Sequence, residues 1–146
     1  MKDYILNNKN IMVGDWVKLN YDVCYKTGKS IYTPVQVIGI NKDGTIDVNC
    51  TIDKSKSMQD GWDLKLIEPI PLISEIFEKN GFKKNTSNTK MCLDIHEYRL
   101  IYNLTNRLFT IFNESEGIIL VQKPIVTVHK LQHALKLCEI DKEIKL

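Results

Sequence analysis

Hydrophobic and polar residues alternate in short runs along the first half of the chain, and this period of two indicates β-strands. The clearest run is residues 45–52, where one face carries Ile46, Val48, Cys50 and Ile52. The other predicted strands are residues 11–19, with a kink at Gly14 and Asp15, and residues 21–25, 35–40 and 62–67. Turns are expected at residues 26–29 and at residues 41–44, where an Asp-Gly pair is a strong hairpin signal. Short strands joined by tight turns predict a small β-barrel or roll.

The strand order of this half resembles that of a Src-homology-3-like barrel. Residues 68–72 read Glu-Pro-Ile-Pro-Leu, and two prolines one residue apart interrupt a hydrogen-bond ladder and favour extended chain. We therefore expect a β-rich, barrel-like half at residues 1–72.

The second half changes to a mixed pattern. A short helix is predicted at residues 74–80, ended by Gly81 in a left-handed conformation with Phe82 folding back on its last turn. A polar loop at residues 83–90 leads into a three-stranded antiparallel meander. Its strands are expected at residues 92–102, 107–112 and 117–122, with turns at residues 103–106 and 113–116.

A second helix should follow Thr127, a plausible N-cap, and run from Val128 to about Cys138. Its apolar stripe of Val128, Leu131, Leu135 and Cys138 would cover the meander. The polar tail, residues 139–146, is expected to fray or to continue the helix weakly. Residues 73–146 therefore form an α+β half, and we expect the α+β chain to fold as one compact unit.

Composition narrows the class of protein. The 146 residues are 43% hydrophobic and 26% charged with a net charge of +2, which is ordinary for a globular domain. The only arginines are Arg99 and Arg107, so the sequence offers few side chains that can bind phosphate or bases through two hydrogen bonds at once. We therefore do not expect nucleic acid as a partner. No apolar run reaches the length of a membrane helix, and the first residues do not read as a signal peptide. We expect a cytoplasmic protein with reduced cysteines and no membrane association.

The chemistry-bearing residues form no recognised catalytic motif. His129 and His133 stand four apart on the second helix, but Lys130 occupies the place where a metalloprotease has its glutamate. The four cysteines are irregularly spaced, and no phosphate-binding glycine motif occurs. We therefore expect no enzyme, no metal site and no cofactor.

Aromatic residues of the first half offer a more promising surface. In a small barrel, aromatics near the first loop and the returning strand can line a groove for a peptide or ligand. The set is Trp16, Tyr21, Tyr25, Tyr32 and Trp62. Both tryptophans also fit a core role because each lies in an apolar strand, which leaves the tyrosines as the better surface candidates. His129 is added to the candidate binding residues.

Several segments occur in an order that resembles a group of uncharacterised proteins from Bacteroidota genomes and their phages and prophages. They are residues 14–17, 37–40, 66–72, 80–82 and 128–132. Two departures stand out: Ile73 replaces a Ser or Thr cap, and residues 133–138 replace an aromatic-rich continuation. The resemblance implies a phage or mobile-element context and supplies no catalytic residue.

The leading hypothesis is a non-catalytic binding or accessory protein of a phage or mobile genetic element, acting through protein–protein interaction against host defence or within a larger assembly. The partner would be a host or phage protein. A binder of a small ligand or a signalling nucleotide is the alternative, and an enzyme that uses His129 as acid or base is the third hypothesis. An open edge of the meander would also allow pairing with a second copy in a homodimer.

Overall fold

The computed structural model describes residues 11–23, 30–49 and 61–146. The chain divides into two compact units, Met1–Ile70 and Pro71–Leu146, each built around its own antiparallel sheet. Two α-helices accompany the sheets in the described part, so the predicted α+β class is confirmed. None of the helices found there is both long and apolar enough to cross a membrane.

The first unit holds a four-stranded sheet in the order β3-β2-β1-β4. Its strands are β1 (Trp16–Val23), β2 (Ser30–Ile40), β3 (Ile46–Asn49) and β4 (Ile67–Pro69). One face carries the buried core residues Val17, Leu19, Val35, Val37, Ile46, Val48 and Ile67. The predicted inward positions of Ile46 and Val48 are confirmed, whereas Cys50 and Ile52 lie outside the described residues.

The predicted hairpin turn at residues 41–44 is also confirmed. Gly44 has φ +86°, which glycine adopts without steric cost, and its N–H donates to the carbonyl of Asn41. The Asn41 amide donates to Asp47 at 3.0 Å, and together with the N–H of Gly61 it lowers the pKa of that carboxyl. The turn therefore fixes how β2 passes into β3.

The strand predicted at residues 62–67 is wrong. Leu64–Leu66 form a single turn of 3-10 helix, because the Asp63 carboxylate accepts the N–H of Lys65 at 3.0 Å. Within residues 62–66, Trp62 pairs through an isolated bridge to Ile46. The returning strand begins at Ile67 and pairs antiparallel with β1.

The second unit contains a five-stranded meander in the order β5-β6-β7-β8-β9. The strands are β5 (Lys83–Lys84), β6 (Lys90–Ile95), β7 (Tyr98–Asn103), β8 (Leu108–Asn113) and β9 (Ile118–Pro124). The prediction of three strands was wrong because residues 92–102 contain a two-residue turn at His96 and Glu97. His96 adopts φ +51° there, without the glycine that usually marks such a hairpin. Lys83 and Lys84 also pair with β6, although a polar loop was predicted to include them.

Asparagine side chains close three of the meander's hairpins, including the two turns that the sequence predicted. Asn103 Oδ1 accepts the N–H groups of Thr105 and Asn106, and Asn113 Oδ1 accepts the N–H of Glu116. Asn85 makes the equivalent contacts at the first hairpin, with the N–H groups of residues 89 and 90. Asparagine suits these sites because its side chain can replace a backbone acceptor in a turn.

The first helix, α1 (Ser74–Lys79), ends as predicted. Gly81 takes φ +88°, its N–H donates to the carbonyl of Glu78, and the N–H of Phe82 donates to that of Phe77. The Phe82 ring meets Phe77 edge-on with a centroid distance of 5.0 Å. These contacts make the Schellman arrangement, which satisfies the last carbonyls of the helix.

The second helix, α2 (Val128–Leu137), begins at the predicted residue but not through the predicted cap. Thr127 is the N-cap residue, yet its hydroxyl is buried and makes no hydrogen bond among the described residues. Its backbone is instead bridged to Pro71, which holds it extended. The apolar stripe is confirmed for Val128, Leu131 and Leu135, which are buried, whereas Cys138 is half-buried.

The chain after α2 does not fray, and it does not continue the helix. Ile140 and Ile144 are buried in the second unit. The Asn80 side chain holds the segment by bonding both the N–H and the carbonyl of Lys145, each at 2.7 Å. The prediction failed because two isoleucines four apart and the distant Asn80 side chain together anchor this otherwise polar segment.

A strained residue ends α2, and its replacement should stabilise the fold. Glu139 has φ +56°, while the N–H of Ile140 donates to the carbonyl of Leu135. This conformation costs a non-glycine residue about 1–2 kcal/mol, and the extra freedom of unfolded glycine offsets about 0.5–1 kcal/mol. We expect Glu139→Gly to raise the free energy of unfolding by about 0.5–1 kcal/mol. Urea unfolding will test this, with Gly81→Ala as the reverse control; a lower stability for Glu139→Gly would contradict it.

Candidate binding surface

The side of the first sheet opposite its core forms a continuous surface, here called the outer face. Residues on β1, β2 and β4 that alternate with the core positions point to it. Strand pairing sets Trp16 beside Gln36 and sets Lys18 between Pro34 and Glu68. The outer face comprises Trp16, Lys18, Tyr32, Pro34, Gln36, Ile38 and Glu68.

Three polar groups order the middle of the outer face. The Tyr32 hydroxyl donates to Glu68 Oε1 at 3.0 Å, and Lys18 Nζ lies 4.0 Å from Glu68 Oε2. The same ammonium lies 5.2 Å from the centroid of the Tyr32 ring, within reach of a cation–π contact. An ion pair this exposed adds little stability. Its effect is to hold an exposed aromatic ring in one orientation.

Exposed apolar side chains continue from this face and are here called the apolar cluster: Met12 and Val13 in the turn before β1, and Ile38 at the β-bulge of β2. The turn that carries the first two is fastened to β2, because the N–H of Gly14 donates to the carbonyl of Val37 at 2.7 Å. The buried carboxylate of Asp15 also accepts the N–H of Met12 at 2.7 Å. The exposed side chains therefore rest on a turn with fixed backbone contacts.

Sequence reasoning missed this cluster. It placed Met12 and Val13 in a strand that continues past a kink at Gly14 and Asp15, and it treated residues 35–40 as one continuous β-branched run. The strand β1 begins only at Trp16, and a β-bulge between Val37 and Gly39 interrupts the run. The missed signal was Gly39, since a glycine within a strand pattern often marks a bulge.

The structure places only part of the predicted aromatic set on the outer face. Tyr32 is exposed and Trp16 half-buried there. Trp62 packs against the core of the first unit, as the alternative core interpretation of that residue has it. The backbone of Tyr21 lies in β1 but its side chain is outside the described residues, as is all of Tyr25.

His129 belongs to the second unit and is only 2% exposed, so its side chain is not available to a surface partner. Its ring meets that of His133 edge-on with a centroid distance of 5.6 Å. Among residues 11–23, 30–49 and 61–146, no three histidine, cysteine or acidic side chains lie close enough to hold a metal ion. His129 is therefore a buried histidine of α2 outside the outer face, and its role as a binding residue stays a prediction.

Cys138 does not have the environment of a nucleophile. Burial raises the pKa of the Cys138 thiol, which lowers its thiolate fraction at neutral pH. Activation would instead require a cationic neighbour that lowers that pKa. Cys92 lies half-buried on β6, and Cys24 and Cys50 are outside the described residues.

The second unit also has a shallow pocket of about 340 Å³. It is lined by Leu72, Ile73, Ser74, Glu75, Tyr102, Leu104 and Arg107. Burial raises the pKa of Tyr102, whose hydroxyl donates to the carbonyl of Ile125 at 2.8 Å. The tyrosine is thus a neutral structural group, and Arg107 and Glu75 supply the charged groups of the pocket.

No family model matches the chain. No solved structure matches it at a significant level. Among curated proteins, the chain is similar to the Pre-mRNA-splicing factor RSE1 of Debaryomyces hansenii, with 22% identity over 110 residues. The match covers 73% of this chain and 8% of the splicing factor, so the chain spans a small part of that protein's length.

Proposed function

We propose that the chain is a non-catalytic binding protein that contacts another protein through the outer face. The observation that carries the proposal is the set of exposed apolar side chains of Met12, Val13 and Ile38, together with the ordered ring of Tyr32 further along β2. Apolar side chains gathered on a fixed surface mark interaction sites more than single exposed residues do.

The composition of this surface suits a protein interface. Tyrosine and tryptophan are enriched at interfaces because they bury a large area while losing few rotamers. The bond from Tyr32 to Glu68 restricts the ring before any partner arrives, which lowers the entropy cost of binding. Lys18 and Glu68 would form the polar rim of such an interface around Tyr32.

We extend the proposal to the fold of the first unit, which we take to be a Src-homology-3-like barrel. A 3-10 turn directly before β4, and the pairing of β4 with β1, support this assignment. The bridge between Trp62 and Ile46 supports it too, because it links the chain just before β4 to the opposite edge strand, β3. In such a barrel the partner would be a protein segment lying across the aromatic side of the sheet.

The biological setting is proposed from the sequence resemblance to Bacteroidota and phage proteins. An accessory protein of a phage or mobile element would act in the host cytoplasm on a host or phage protein. Blocking a defence protein and joining a larger assembly both fit an exposed binding face without a catalytic centre.

The similarity to a pre-mRNA-splicing factor favours a second candidate, a role on pre-mRNA. The surface for RNA would be the exposed lysines 79, 83, 84 and 90. Lys84 lies 3.6 Å from Glu78, and Phe82 is buried against Phe77 rather than offered for base stacking. We therefore rank RNA below protein as the partner.

The pocket near Arg107 supports the small-ligand alternative, since an anion could reach a guanidinium between apolar walls. The pocket is shallow, and Glu75 in its lining opposes an anion. An enzyme that uses His129 is the least supported alternative because that side chain is buried.

Site-specific photo-crosslinking tests the leading proposal. A photoreactive amino acid would replace Ile38 on the outer face or, as a control, Lys42 on the exposed hairpin turn of the same unit. In lysate of a Bacteroidota host, we expect a protein adduct at position 38 that is absent at position 42 and is lost in Tyr32→Ala. Equal adducts at both positions, or none at position 38, would refute the outer face as the binding site. A nuclease-sensitive adduct would favour the pre-mRNA candidate.

A further inference from the structure

The two edge strands of the second sheet differ in length and in sequence, and one of them could pair with a strand of another chain. The edge strand β5 has only two residues, both lysines, which is how proteins commonly prevent an edge from pairing. The opposite edge strand, β9, has seven residues and pairs only with β8 in the described part of the chain. Long edge strands present unpaired backbone groups that can add another strand.

The N-terminal half of β9 also carries unusual apolar exposure. Ile118, Ile119 and Leu120 are 46%, 55% and 39% exposed, and as consecutive strand residues they project from both sides of the strand. Leu120 is the extra residue of a β-bulge, since Ile111 pairs with Val121 and Phe112 pairs with Ile119. Further along, Lys123 and Pro124 close the strand, because proline cannot donate a hydrogen bond to a new partner.

The charged residues near the two ends of β9 favour antiparallel pairing with β9 of a second copy. Glu116 is exposed in the β8–β9 turn, two residues before β9 begins, and Lys123 is exposed near the end of β9. Two copies of β9 that run antiparallel about a two-fold axis between Ile119 and Leu120 would set Glu116 of each copy opposite Lys123 of the other. The same axis would set Ile118 opposite Val121 and bring the exposed isoleucines together. A parallel pair would instead bring like charges together.

We propose that the chain forms a two-fold homodimer by antiparallel pairing of β9 with β9 of a second copy. The interface is isologous, so each apolar contact and each Glu116–Lys123 pair occurs twice. One strand per copy buries less than a standard interface, and the dimer should therefore dissociate in the micromolar range. This inference does not depend on the outer face or on the function proposed for it.

Native mass spectrometry and sedimentation over a concentration series test the dimer. We expect the wild type to form a species of twice the 16.9 kDa chain mass, and we expect Ile119→Lys to be a monomer. Leu137→Lys is the matched control, since Leu137 is 73% exposed but lies on α2, and this variant should dimerise like the wild type. Circular dichroism would establish that each variant is folded.

A charge exchange separates pairing from a general loss of fold. Lys123→Glu should weaken dimerisation about tenfold because it sets two like-charged pairs across the axis. Adding Glu116→Lys restores opposite charges and should recover the wild-type dissociation constant. A wild type that is monomeric at about 100 μM would overturn the proposal, since even small interfaces pair there. A double variant no tighter than Lys123→Glu would overturn it equally.

Discussion

Replacing Phe77 by alanine should lower the free energy of unfolding of the second unit by about 3–5 kcal/mol, the usual loss for a buried phenylalanine. The ring is fully buried, stacks on Tyr102 with a centroid distance of 4.4 Å, and meets Phe82 edge-on. Removing it opens a cavity between α1 and β7 and also removes the apolar contact that closes the end of α1. Urea unfolding followed by far-UV circular dichroism would measure the loss.

The matched control for this substitution is Ile73→Ala, just before α1. Ile73 is exposed, so its truncation should change the free energy of unfolding by less than about 0.5 kcal/mol. Hydrogen exchange of the β7 amides should accelerate in Phe77→Ala and remain unchanged in the control. Similar losses in both variants would mean that Phe77 does not anchor α1 to the sheet.

Replacing Asn80 by alanine should cost about 2–3 kcal/mol, because several buried hydrogen bonds disappear together. The side-chain amide donates to the carbonyls of Ile76 and Lys145, and its oxygen accepts the N–H of Lys145. After the substitution, the backbone groups of Lys145 would have to find water or stay unsatisfied. We expect the segment that carries Ile140 and Ile144 to loosen, which limited proteolysis would detect as earlier cleavage after α2.

Lys145→Ala distinguishes this backbone contact from an effect of charge. Asn80 bonds only the main chain of Lys145, so removing the lysine side chain should change stability by less than about 0.5 kcal/mol. If Lys145→Ala were as damaging as Asn80→Ala, the proposed anchoring by the main chain would be wrong.

Features with a local cause could be predicted from the sequence. Gly81 and Phe82 ended α1 as expected, because a left-handed glycine followed by an apolar residue suffices for that motif. The inward positions of Ile46 and Val48 follow from alternation alone. The turn at His96 carried no such signal, because positive φ is uncommon for residues other than glycine and no glycine marks this hairpin.

Features with a non-local cause were not predictable. The anchoring of residues 139–146 depends on Asn80, which is far away in the sequence. The local sequence around Asn80 or Lys145 does not predict this contact. The position of the outer face could not be predicted from the sequence for the same reason. Alternation shows that Ile38 and Val37 face opposite sides of β2, but it does not reveal which side remains uncovered.

Both tryptophans of the chain lie in the first unit, one half-buried on the outer face and the other against that unit's core. Indole emission therefore comes from this unit alone, while the second unit contributes tyrosine signals only. A partner that covers the outer face should shift the emission of Trp16 to shorter wavelength, and Trp16→Phe should abolish that shift. The molecule thus contains its own optical reporter for occupancy of the surface proposed as its binding site.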